Sequence, residues 1–280
     1  MFTKVRKDFY MDYYFTKGKP QLVNMKTPIY LVTQFQQLMD LMQNQYQVSC
    51  LELMQRSGKA ACDFLVYRWP KVKKISIFCG RGDNGGQGYV LAQQAKKMGM
   101  IPTVWQVGHQ MSMSKPPQMH EEVWYEMNSC HQQGILLHTY SPDIDLGDPE
   151  LIVDALFGVG LYGHVRPEIA SLLQRLQQFT VPILAIEVPT GINASTGEIA
   201  GNALAATATI TFLCMKLGLL INDGKIYSGE IAFDDLLAPE AIYQQVKGIE
   251  KSSLLDSSTC FSKKIWYRNK TQKGWQLSIN

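Results

Sequence analysis

"IFCGRGDNGGQGYVLAQQA", Ile77 to Ala95, decides how the rest of this 280-residue chain reads. A short apolar run enters a turn holding five glycines between Gly80 and Gly88, and a helical pattern predicted over Gln87–Met98 leaves it. Gly80-x-Gly82-x-x-Gly85 has the form of a dinucleotide-binding turn. Glycines there let the backbone bend sharply and bring its N–H groups close to a diphosphate at a helix N-terminus. The fingerprint is incomplete. The next strand ends "TVWQVGHQ", Thr103 to Gln110, with no carboxylate to grip a ribose, and no Lys-Ser/Thr follows the glycines as a P-loop requires. A tight turn with no ligand stands as the alternative.

Working outward, apolar runs and helical patterns alternate. Strands are predicted at Lys74–Cys79, Thr103–Val107, Ile135–His138, Leu151–Ala155, Ile183–Val188, Ala208–Leu213 and Glu230–Asp234. Further helices are predicted near Met119–Gln133 and at Pro167–Gln178. Runs such as "LIVDAL" and "ILAIEV" are nearly continuous in apolar character, as strands buried on both faces require. The alternation predicts an α/β fold, three layers deep, with a mostly parallel central sheet. Upstream, Thr33 to Gln36 and Ser49 to Glu52 each have the form of a capping box, opening helices to about Gln45 and Trp69.

Composition narrows the function classes. Hydrophobic residues make up 46% and charged residues 18%, ordinary for a globular chain. The net charge of +3 is too small to argue for nucleic acid, and its excess sits in the last residues, from Lys263 to Lys273. Six cysteines (50, 62, 79, 130, 214 and 260) show no CxxC pair and no zinc-ligand spacing, which suits a reducing cytoplasm. No apolar run reaches the length of a membrane span. Residues 1–24 read as an aromatic-rich leader, with Met25 as an internal start.

Two further stretches bring chemistry. "VDALFGVGLYGHVRP" places Asp154 at a strand's C-terminal end, followed by three glycines. "IEVPTGINASTGEIAG" does the same for Glu187, followed by Pro-Thr-Gly. Parallel strands present their C-terminal ends on one edge, where open α/β sheets bind ligands. Asn84, Asp154, Glu187 and Thr190 are therefore expected in one cleft, a site for a phosphorylated ligand.

Together with "LELMQRSGKAA", "CGRGDNGGQGYV" and "TATITFLCMKLGLL", these motifs make the chain resemble the NAD(P)H-hydrate epimerase (YjeF N-terminal) family from about Tyr30 to Pro239. The resemblance implies a Rossmann-like α/β/α sandwich over residues 25–245. It also implies interconversion of the R and S epimers of NADHX and NADPHX, so that a partner dehydratase can repair the S form, and it implies a homodimer. By position, Asp83, Asn84, Gly85, Gly86 and Gln87, with Gly158, Val159, Gly160, Leu161, Tyr162, Gly163 and His164, would line the hydrated-dinucleotide site. Asn84, Asp154 and Thr190 would hold potassium, and Glu187 would contact the ligand as the catalytic carboxylate.

The chain departs from the family where it reads "DNGGQG" for the usual NNGGDG and "EVPTG" for D-x-P-S-G. Glu187 adds a methylene to the carboxylate arm, so shortening it to Asp is expected to raise the rate, or at least not lower it, unless Gln87 and Thr190 have reshaped the cleft around the longer arm. Loss of catalysis, leaving a binding or scaffold domain, is the rival reading. An ordinary nicotinamide oxidoreductase is a weaker third, lacking both the ribose carboxylate and a Tyr-x-x-x-Lys pair. "WYRNKTQKGWQ", Trp266 to Gln276, resembles the opening of the dehydratase half of bifunctional members. Residues 246–280 are thus expected to be a linker or the truncated start of a second domain, removable with little change in stability.

Overall fold

The computed structural model describes residues 29–108, 115–249, 264–268 and 275–279. The predicted leader, Met25 and Cys260 lie outside the described residues, as does most of the predicted linker.

The elements in chain order are β1 (Ile29–Tyr30), α1 (Val32–Asn44), α2 (Cys50–Arg68), β2 (Lys74–Cys79), α3 (Asp83–Lys97), β3 (Ile101–Gln106), α4 (Glu121–Gln132), β4 (Leu136–Thr139), β5 (Leu151–Ala155) and α5 (Pro167–Gln177). They continue with β6 (Ile183–Ile186), β7 (Ala208–Phe212), β8 (Met215–Lys216), α6 (Gly224–Tyr227), β9 (Glu230–Asp234), α7 (Glu240–Gln245), β10 (Lys264–Arg268) and β11 (Gln276–Ile279). Nine strands form one sheet in the order β11-β10-β9-β7-β6-β5-β2-β3-β4. Every pairing in it is parallel except β10 with β11.

Side chains alternate across the sheet and build a core on each face. Ile75, Ile77 and Cys79 of β2 pack with Phe64, Leu65, Tyr89, Leu91, Val123 and Met127 from α2, α3 and α4. Phe78 from the same strand packs on the other face with Leu172, Leu173 and Leu176 of α5. The fold is the predicted three-layer α/β/α sandwich. Among the described residues, no helix is long and apolar enough to cross a membrane.

The strand order fixes where a ligand can enter. From β2 the chain moves outward to β3 and β4, then returns to the opposite side of β2 with β5. The reversal opens a crevice at the carboxyl ends of β2 and β5, where open α/β sheets bind ligands. Gly80 follows β2 and Leu156 follows β5, and Gly80 N–H bonds Ala155 C=O at 3.0 Å. A Cβ on Gly80 would lie 2.1 Å from the Leu156 oxygen, so glycine is what lets the two turns meet.

Several boundaries differ from the predicted ones. α3 begins at Asp83, not Gln87, so Asp83–Gly86 form its first turn instead of a loop. Intrinsic propensity argues against glycines in a helix. Packing overrides it, because a Cβ on Gly85 would lie 2.0 Å from the Gly80 oxygen and one on Gly86 2.4 Å from Met54 Sδ. The predicted box at Thr33 is displaced: Gln34 Oε1 accepts from Leu31 N–H at 2.8 Å, and Leu31 occupies the cap. At Ser49 half of the predicted box forms: its Oγ accepts from Glu52 N–H at 3.1 Å, while the Glu52 carboxylate turns to Arg56.

The tail differs most. β10 runs parallel to β9, pairing Ile265–Arg268 with Ile231–Asp234. Arg268 reaches Asp234 Oδ2 at 2.7 Å and Asp63 Oδ2 at 2.8 Å. Trp275 is buried against Phe64. Lys264–Arg268 and Gln276–Ile279 are thus strands of the main sheet and Trp275 belongs to its core, where a linker was expected.

Candidate functional site

Asp154 is the penultimate residue of β5, its side chain wholly buried, and its partners come from two loops. Thr190 donates its hydroxyl to Oδ1 at 2.7 Å and its N–H to Oδ2 at 2.8 Å. Leu156 N–H donates to Oδ1 at 3.2 Å. Burial pushes the Asp154 carboxyl up to about 6, against these hydrogen bonds, which pull it down. Thr190 in turn accepts from Phe157 N–H at 3.1 Å. The loops after β5 and β6 are thus tied at one point, and Gly158 comes next.

Gly158 is where the predicted residues converge. A Cβ there would lie 3.2 Å from Asn84 Oδ1 and 3.2 Å from Glu187 Cβ. Asn84 is buried in the first turn of α3, yet neither its amide oxygen nor its nitrogen has a hydrogen-bond partner. An unpaired buried amide costs about 1–3 kcal/mol, so this amide is free to bond a polar ligand or ion. No side chain caps α3, so the first-turn N–H groups and the positive end of the helix dipole can serve an anion.

The other predicted lining residues divide. Asp83 is exposed and bonds His120 Nδ1 at 2.8 Å. Gln87 turns its amide nitrogen to Ser57 Oγ on α2 at 3.3 Å and leaves its oxygen buried without a partner. Val159 and Leu161 are half-buried, each packed against a core cluster. Tyr162 stands 78% exposed at the rim. Gly160 and Gly163 meet nothing, while His164 lies close enough that a Cβ on Gly201 would be 3.1 Å from its Nδ1.

Glu187 is held in an unusual way. Its φ is +67°, and Val188 N–H closes back on Ile186 C=O at 2.9 Å, the pattern of a γ-turn. Such a backbone is rare and strained for a residue with a side chain. The turn points the carboxylate under the sheet edge, where Oε2 accepts from Lys216 Nζ at 2.7 Å, Thr211 Oγ1 at 2.9 Å and Phe212 N–H at 3.4 Å. Lys216 is entirely buried and also bonds Phe212 C=O at 2.6 Å. The phenyl ring of Phe35 covers its ammonium at 4.2 Å.

Sequence reasoning missed Lys216, Thr211 and Phe35. One signal was present: a lone lysine inside the apolar run "ITFLCMKLGLL", since a charge buried there must be paired. Among the described residues no three His, Cys, Asp or Glu side chains gather as a metal cluster. A groove of about 600 Å³ lies elsewhere, lined by Leu51, Glu122, Trp124 and Tyr125. Its acidic wall, with Glu121 and Glu122, suits a diphosphate poorly.

A family model described as "YjeF-related protein N-terminus" matches residues 50–218. A protein of Legionella pneumophila (strain Paris) named NAD(P)H-hydrate epimerase is 98% identical over 270 residues, covering 96% of this chain and 100% of that one. The bifunctional NAD(P)H-hydrate repair enzyme Nnr of Coxiella burnetii is 36% identical over 199 residues, 71% of this chain and 39% of its own length. A crystal structure of a yeast protein shares the fold, with a TM-score of 0.58 at 20% identity, over 68% of this chain and 82% of that one.

Proposed function

The chain belongs to the family of YjeF-related protein N-termini, and from that premise we infer that it is an isomerase, interconverting the R and S epimers of hydrated NADH and NADPH for cofactor repair. The observation that carries the chemistry is Glu187. A buried carboxylate sits at the switch-point crevice with Oε2 held by three donors. Among the described residues no donor reaches Oε1, which leaves that oxygen for a ligand.

Inverting C6 of the hydrated ring means breaking a bond from that carbon to oxygen or nitrogen and remaking it on the opposite face. Each half needs a proton delivered to or taken from a heteroatom, and no electrons are gained or lost. One carboxylate oxygen can do both in turn, as general acid and general base. The uncapped start of α3 would receive the diphosphate, and the rim from Val159 to His164 would cover the nucleotide.

Asn84, Asp154 and Thr190 fit a potassium ion: Asn84 brings an unpartnered buried oxygen, and all three offer hard oxygen donors. Bound there, the ion would supply positive charge beside the buried Asp154 and the substrate's phosphates. A homodimer, a cytoplasmic location and a dehydratase that consumes the S epimer complete the reading; the five free cysteines among the described residues support the location.

Incubation of purified protein with R-NADHX and an S-specific dehydratase tests the function. Consumption of the R epimer above its spontaneous rate is expected. Consumption at the spontaneous rate leaves the rival, a binding domain that has lost catalysis, for which Glu187 and Gln87 speak.

A further inference from the structure

A carboxylate with two equivalent oxygens is an imprecise tool, because rotation about its last bond exchanges them. At Glu187 the two are not equivalent. Among the described residues all three donors to the carboxylate converge on Oε2 and none reaches Oε1. The clamp on Oε2 is itself anchored from three directions. Lys216 lies in β8, which pairs with β1 through Tyr30. Its ammonium bonds Phe212 C=O at the end of β7. Phe35 of α1 covers it, and α1 precedes the residues matched by the family model. Thr211, one residue before Phe212, supplies the second strong donor.

We propose that Lys216, assisted by Thr211, is the positioning residue that locks Glu187 Oε2 and so dedicates Oε1 to the reacting atoms. The proposal rests on the epimerase reading for its kinetic consequences, though not for the clamp itself. It also accounts for the glutamate. The longer arm spans from a strained turn after β6 to a lysine beyond β7.

Lys216→Met and Thr211→Val test it. Each removes a donor to Oε2 while keeping side-chain bulk. An unlocked carboxylate misplaced by about an ångström is expected to lower kcat about 100-fold for Lys216→Met and several-fold for Thr211→Val. KM should stay unchanged, since neither group touches substrate. In a Glu187→Gln background neither substitution should lower the residual rate further. A purely structural role would act equally in both backgrounds, and that result, or an effect on KM alone, overturns the proposal. Lys216→Met strands a buried carboxylate; if it does not fold, Thr211→Val, which keeps the ion pair, decides on the same criteria. The clamp also has a readout apart from turnover. The Lys216 ammonium should give a slowly exchanging proton resonance in the wild type that is lost in Glu187→Gln. If wild type does not turn over R-NADHX but shows this resonance, the function reading fails and the clamp stands. If the resonance is indifferent to Glu187, the clamp fails.

Discussion

Trp275→Ala separates the sheet-bound tail from the linker that the sequence predicts. Trp275 is 7% exposed, with its ring edge-on to Phe64 at 4.9 Å and beneath the Arg268 guanidinium at 5.1 Å. Truncating a buried tryptophan costs about 3–5 kcal/mol through lost transfer energy and the cavity left behind. For a chain of this size that is a fall in Tm of roughly 6–20 °C. Residue 275 in a solvated tail would cost nothing. A companion substitution sharpens the test, because the indole Nε1–H is buried without a partner among the described residues. Trp275→Phe keeps most of the ring and removes the unsatisfied donor, so the two effects offset and stability should stay within about 1 kcal/mol of wild type. Urea and thermal unfolding of the three proteins read both values. A Trp275→Ala shift below about 2 °C would refute the packing of the tail. Equal losses for Ala and Phe would refute the role given to the ring.

Other expectations follow from the site. Gly85→Ala should abolish or severely destabilise folding, since its Cβ would lie 2.0 Å from a backbone oxygen, whereas Gly82→Ala meets nothing within 4 Å and should be tolerated; expression and melting temperature compare them. Glu187→Gln should cut turnover in the coupled assay to a small residual rate and leave dinucleotide binding by calorimetry intact. Glu187→Asp should now slow the reaction, by about 100-fold, because a shorter arm withdraws Oε2 from Lys216 and Thr211; an increase in rate would show that the clamp is dispensable. Burial lifts Asp154 from 3.8 to about 6, so in that window the folded chain holds a proton that the unfolded chain releases. Its contribution to stability therefore falls as pH rises through the window, by about 3 kcal/mol in order of magnitude. Urea titrations in potassium-free buffer should show this slope in wild type and not in Asp154→Asn; identical slopes would remove Asp154 as its source.

Much of the fold was legible because a parallel sheet buried on both faces writes itself as continuous apolar runs. β2, β5 and β9 occupy the predicted residues. What failed was where non-local packing decides. The start of α3 looks like a loop to any rule of propensity, and it is helical because Gly85 and Gly86 let it press against Gly80 and Met54. The tail strands carry no long apolar run. β10 is recognisable only once β9, some thirty residues earlier, offers an unpaired edge and Asp234 offers Arg268 a partner.

The site shows the same division. Asp154 and Glu187 were visible because a carboxylate at the end of an apolar strand is conspicuous, and the strand order brings their loops together. The missing half of the Glu187 pair was invisible for the opposite reason: a lysine in an apolar run announces that it needs a partner, not which one. Removing either member of such a buried pair costs about 3–5 kcal/mol, because the survivor is left charged and dry. Lys216 and Glu187 are therefore constrained together even though 28 residues lie between them. A glutamate where the family has aspartate reads, in the sequence, as a defect in one residue. In the fold it is one end of a link from the turn after β6 to Lys216 of β8, which Phe35 of α1 covers.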